Sequence, residues 1–191
     1  GHTASAAFTV ACPDHYVVNT TADAGAGSLR QALRDVCDGG EISFAPALTA
    51  GGAATILLTS DQLTVTTDIT ITGPGANLLN ISGNTARRIF TIVPDVNVQM
   101  SALTIKDGLA LYKGAGINND GNLMLVDVTV KSNGASFTGG GGIYNNGALT
   151  LTRVSLLNNT TDQDGAGIYN AGVMAAADTT FDGNNAYAAG G

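Results

Sequence analysis

The fold class predicted here is all-β: a parallel β-solenoid of about six coils of about 25 residues each, with one short capping helix ahead of it. Three observations predict it. Gly114 to Asn119 reads GAGINN, Gly140 to Asn145 reads GGGIYN and Gly165 to Asn170 reads GAGIYN, so Ile117, Ile143 and Ile168 stand 26 and then 25 residues apart. A unit this small cannot bury its own apolar face and must stack on its neighbours. Between the motifs, apolar residues alternate with polar ones, as in Leu149-Thr150-Leu151, a period of two rather than 3.6. Gly and Asn punctuate these short strands at the same step, with 26 Gly in 191 residues, and both residue types suit tight turns.

Composition narrows the class. Hydrophobic residues make up 44% but aromatic residues only 5%, and Trp is absent, so the core must be aliphatic. Lys plus Arg number 8 against 15 Asp plus Glu, a net charge of −7. That balance excludes nucleic acid and anionic lipid as partner classes. No stretch approaches the ~18 apolar residues of a membrane helix, so membrane insertion is not expected either. Ala4-Ser5-Ala6 is similar to the end of a signal peptide. Export would place Cys12 and Cys37 in an oxidising compartment. Paired, they close a loop of 25 residues, which contributes roughly 3.5 kcal/mol in the chain-entropy model. The alternative for them is two reduced, buried thiols.

In chain order, residues 1–40 form an N-terminal segment with the capping helix and residues 41–191 form the solenoid. Val17-Val18 reads as a short strand. SLRQALRDVC follows as a helix: Ser28 is the N-cap, Gln31 completes a capping-box spacing, and Leu29, Ala32, Leu33 and Val36 share a face. Gly39-Gly40 stop it. Its expected task is to cover the open end of the first coil.

From residue 41 the coils align by eye. One strand position runs through Ile69-Thr70-Ile71, Val96-Asn97-Val98, Leu123-Met124-Leu125, Leu149-Thr150-Leu151 and Val173-Met174-Ala175. The next runs through Leu79-Asn80-Ile81, Leu103-Thr104-Ile105, Val128-Thr129-Val130, Val154-Ser155-Leu156 and Thr179-Thr180-Phe181. The ends of each triplet face inward and the middle outward. Three further ladders are expected: Ile117, Ile143 and Ile168; Asn84, Asn133, Asn159 and Asn184; and Asn119, Asn145 and Asn170. Asn tolerates left-handed backbone, and stacked amides hydrogen-bond from coil to coil. Tyr144 and Tyr169 stack in the same way.

SLRQAL, ITITGPGANLLNISG, LTIKDG and GGGIYNNGALTLTRVSLLNN resemble bacterial secreted right-handed parallel β-helix repeat proteins. The Gly-Gly-x-Ile and strand-x-x-Asn elements are also similar to repeats of the polymorphic outer-membrane proteins, which are autotransporter adhesins. The resemblance implies a right-handed helix and a secreted or cell-surface location, and it spans adhesins, surface-layer fragments and polysaccharide-active enzymes.

Chemistry is sparse. Inverting glycoside hydrolysis needs carboxylates about 6.5–9.5 Å apart in one groove, and none of the outward positions aligned above is acidic. Basic residues Arg87, Arg88, Lys106, Lys113, Lys131 and Arg153 are scattered, and His2 and His15 lie outside the aligned coils. No catalytic residue, metal ligand or cofactor site is expected. Asp162-Gln163-Asp164-Gly165 and Asn118-Asn119-Asp120-Gly121 lack the spacing and terminal Glu of a calcium loop. They read as polar turns. Thr70/Thr72 and Thr150/Thr152 give only a broken threonine array.

The last coil drifts to small residues, Ala175 to Ala177, and Ala189-Gly190-Gly191 stops where another Gly-x-Gly-Ile would begin. Phe8 and Val10, in the apolar segment Ala6-Ala7-Phe8-Thr9-Val10, could add a strand to that coil. Phe8, Val10, Gly190 and Gly191 are thus the expected assembly residues. The functional expectation is an extracellular structural or adhesive solenoid, a filament subunit joined head to tail. Its partner is itself or a longer solenoid, with surface glycans as a further class. The alternative is a carbohydrate-binding or carbohydrate-cleaving module.

Overall fold

The computed structural model describes residues 11–187. Its strands form four parallel sheets of seven, six, five and four strands. One coil visits them in turn, as Ile117–Asn119, Asn122–Val126, Thr129–Lys131 and Gly134–Ala135 do. Each strand pairs with its equivalent one coil away, all in parallel. This is the β-solenoid that the repeat predicts. Short segments with two apolar residues each can be stable here because every coil roofs the one before it.

The interior is a set of mainly aliphatic ladders. Leu63, Phe90, Ile117 and Ile143 are in register along the five-stranded sheet and fully buried. Ile56, Ile81, Ile105, Val130 and Leu156 do the same along the six-stranded sheet. Ile42, Ile71, Met100, Leu125 and Leu151 line the seven-stranded one. Ile168 continues the repeat's Ile ladder but is only part-buried.

Three details differ from the sequence reading. The seven-stranded sheet has one more rung than six coils supply, because His15–Val18 pairs with Gly40–Phe44. His15 therefore lies on a coil, with its Nε2 2.7 Å from Ser43 Oγ. The alignment by eye slips twice. Ile69 pairs with Val98 rather than Val96, and Leu149 pairs with Met174 rather than Val173. The first slip is two residues and keeps every side chain on its expected face. The second is one residue and turns Met174 inward, Val173 and Ala175 outward.

The left-handed backbone also sits elsewhere. Asp107, Ser132, Asn158 and Gly183 carry positive φ, as do Ala102, Asp127, Arg153 and Asp178, one of each set per coil. Asn133, Asn159 and Asn184 are one residue further on and have ordinary backbone, while Asn84 alone of the expected set is left-handed. A regular corner thus places non-Gly residues at φ near 50–60°, at a cost of roughly 1 kcal/mol each. Within the repeat motif, Gly140 at φ 84° does need its glycine.

The helix covers Leu29–Asp35, and Ser28 Oγ accepts from the Gln31 amide at 3.2 Å. Only half of the capping box forms: the Gln31 side chain donates to Asp35 Oδ2 instead. Leu29, Ala32, Leu33 and Val36 are buried in the continuous core. Cys12 and Cys37 are joined in a disulfide. The chain leading into the helix is tied to the first coil by Asp23, which accepts from Ser60 Oγ (2.5 Å), the Ser60 amide (2.7 Å) and the Thr59 amide (3.1 Å). Asp23 also pairs with Arg30 at 2.6 Å. Burial alone would raise the Asp23 pKa. The hydrogen bonds from Ser60, Arg30 and Thr59 outweigh it and hold the carboxyl well below the usual carboxylate range.

Candidate functional site

Two amide ladders run along the column, and both have a direction. Asn133 Nδ2 donates to Asn159 Oδ1 at 3.0 Å, and Asn159 Nδ2 donates to Asn184 Oδ1 at 2.9 Å. Each Oδ1 also accepts the backbone amide of the rung below, and the Gly108 amide donates to Asn133 Oδ1. At the other corner, Asn119 Nδ2 donates to Asn145 Oδ1 at 2.7 Å and Asn145 Nδ2 to Asn170 Oδ1 at 2.6 Å. Acceptors therefore face the preceding coil and donors the following one. The base of the second ladder shows the same sense: Asn119 Oδ1 is buried without a partner, because the coil below places Ile92 at that rung.

Asn84 does not join its ladder. It is exposed at φ 58°, and its amide donates to Ser82 Oγ. Arg87 holds the ladder's place in this coil: its carbonyl accepts from the Leu109 amide as those of Gly108 and Asn133 do from Gly134 and Thr160 one coil on, so Asn84 falls in the turn before it. Gly147 and Gly172 are required by close approach, since a Cβ at either would lie 2.0 or 2.1 Å from a carbonyl oxygen of the coil below.

The final described coil is uncovered. Its strands Ile168–Asn170, Val173–Ala177, Thr180–Asp182 and Asn185–Ala186 each end their sheet, paired on one side only. Val173 is 74% exposed, Met174 40% and Phe181 51%, although Met174 and Phe181 stand above the buried Leu149 and Leu156. Phe8, Val10, Gly190 and Gly191 lie outside the described residues.

Among the described residues, no group of three or more His, Cys, Asp or Glu could hold a metal ion. Asp120 accepts from Asn118 Nδ2 and Asn146 Nδ2, which makes it a turn acceptor. On the outer face of the seven-stranded sheet, a groove of about 390 Å³ is lined by Asp68, Thr70, Asn97, Gln99, Met124 and Thr150, among others. The Asn97 amide and side chain donate to Asp68 and hold its carboxyl below the usual range. Asp68 and Glu41, which is in register with Thr70, are acids on this face that the strand alignment did not include.

Aromatic residues gather at another corner. Tyr112 and Phe137 lie in adjacent coils with ring centroids 5.6 Å apart, and Tyr144 stacks on Tyr169 at 5.1 Å with planes 9° apart. Lys113 Nζ sits 5.1 Å over the Tyr144 ring. A cleft of about 230 Å³ between them is lined by Phe137, Thr138, Gly139, Tyr144, Gln163, Asp164 and Tyr169.

No protein-family model, curated protein or solved structure matches this chain.

Proposed function

We propose that the protein is a secreted structural or adhesive solenoid that assembles head to tail, the N-terminal segment of one copy adding a strand to the last coil of the next. The observation that carries this is strand Val173–Ala177: all five residues are exposed and one edge is unpaired. Its inward positions are Met174 and Ala176, where the coil below has Leu149 and Leu151. A strand laid beside it with Phe8 and Val10 facing inward would place bulk over that smaller residue, the complementarity that strand addition exploits. A contact of this kind does not close on itself and so propagates.

Secretion is supported by the disulfide, which persists in oxidising compartments. No helix of the described residues is long and apolar enough to cross a membrane.

The test is electron microscopy and sedimentation velocity across a concentration series. Wild-type chain is expected to form rods that lengthen with concentration. The double variant Phe8→Asp, Val10→Asp is expected to remain monomeric with an unchanged circular-dichroism spectrum. A variant that polymerises as well as the wild type overturns the strand-addition reading.

A further inference from the structure

We propose that the aromatic corner is a binding site for a neutral saccharide. Four of the chain's ten Phe and Tyr residues collect there, in a protein whose buried core holds Phe44 and Phe90 among otherwise aliphatic residues. Phe137 is 62% exposed and Tyr112 57%, so these rings do not serve the interior. Flat apolar ring faces match the C–H face of a pyranose. The cleft beside Phe137 adds a hydroxyl (Thr138), an amide (Gln163) and a carboxylate (Asp164). Those are the donors and acceptors that sugar hydroxyls need. Its volume is below that of sites for drug-sized ligands, so a single sugar unit seats in it and the rest of a glycan stays in solvent.

The platform is held in place before any ligand arrives. Arg88 Nε donates to the Lys113 and Gly114 carbonyls at 3.0 and 2.9 Å, Arg88 Nη2 donates to the Tyr112 carbonyl, and Arg88 Nη1 to Gln62 Oε1 at 3.0 Å. The Lys113 amide donates to Thr138 Oγ1. A pre-ordered surface loses less entropy on binding.

Charge selects among ligand classes. The one charged residue in the cleft's lining is Asp164, and the chain carries −7 overall, which disfavours uronic acids and sulfated glycans. A cationic ligand would compete with Lys113, which already occupies the Tyr144 face. The uncharged sugar is left. The site supplies a ligand for the adhesive side of the function proposed above, but it lies on the flank of the column and does not depend on end-to-end assembly.

The test is a glycan array of neutral and acidic oligosaccharides probed with the full chain, followed by titration calorimetry on the best neutral hit. Neutral glycans are expected to bind. Phe137→Ala should weaken the hit roughly tenfold, and Gln163→Ala should weaken it too. Met124→Ala, in the other groove, should leave it unchanged. Both weakened variants alter exposed side chains and should melt with the wild type. Retention of acidic glycans only, no retention at all, or a Phe137→Ala chain that binds as the wild type does would each overturn the assignment. Saccharide binding by a chain that stays monomeric would keep this site and sink the filament reading alone.

Discussion

At the N-terminal end of the column, Leu29, Ala32, Leu33 and Val36 are 8% exposed or less, while at the other end Val173, Met174 and Phe181 range from 40% to 74%. The first end has a helix, a disulfide and the part-buried Asp23–Arg30 pair spent on closing it. The second presents, among the described residues, four strand edges without a partner. The same motif therefore has two energetic meanings. Ile143 and Asn145 are fully buried, whereas Ile168 is part-buried and Asn170 exposed, because a coil acquires its core only from the coil laid on top. The directed amide ladders sharpen the asymmetry. The open end offers donors at Asn170 and Asn184, so two such ends brought together would oppose like groups.

The contrast can be broken by substitutions made in pairs, one at each end, and read by urea unfolding. Replacing Cys12 and Cys37 by Ser should lose about 3.5 kcal/mol, and no single truncation in the last coil should match it. Leu29→Ala, which opens a cavity beneath the cap, should lose about 3 kcal/mol. Phe181→Ala, half in solvent, should lose less than about 1 kcal/mol in the isolated subunit. Asn145→Ala takes an acceptor from the buried Asn119 amide and removes the bonds to Asn170 and the Val173 carbonyl, and should lose about 2 kcal/mol. Its exposed counterpart Asn170→Ala should lose under about 0.5 kcal/mol. Equal losses in either pair would mean that the last coil is covered after all.

The cap also carries a pH dependence. The folded-state pKa of Asp23 is depressed, so its contribution is complete above the ordinary carboxylate value, near ~4. It drains away as the pH falls below that towards the folded-state value. The urea midpoint should fall between pH 5 and pH 3, and by less in Asp23→Asn. At neutral pH none of this dependence is visible.

Much of the column was legible because its signals repeat. The strand parity, the two amide ladders from Asn133 and Asn119, the helix and its Ser28 cap are all written in local spacing. The register slips arose where spacing varies: Ile69 to Val98 is 29 residues but Val98 to Leu123 only 25, and alignment at a constant step hides the difference. The one-residue slip at Met174 fell in VMAAA, where small residues fit either face equally well. Asn84 was misplaced because a strand-x-x-Asn spacing assumes a turn of constant length, whereas in this coil a longer turn carries the chain to Arg87 before it reaches the ladder's place. The aromatic corner was visible only as stacked Tyr144 and Tyr169. Tyr112, Phe137 and Asp164 reach it from loops whose path no periodicity encodes.

Hydrogen exchange at strand Val173–Ala177, followed as protein concentration is raised, tests the assembly claim most directly. If a neighbouring copy adds a strand there, protection of these amides rises with concentration in the wild type and not in the Phe8→Asp, Val10→Asp variant. Over the same range, protection in the buried strand Ile143–Asn145 stays constant in both. Amides of Val173–Ala177 that exchange at the same rate at every concentration would contradict it.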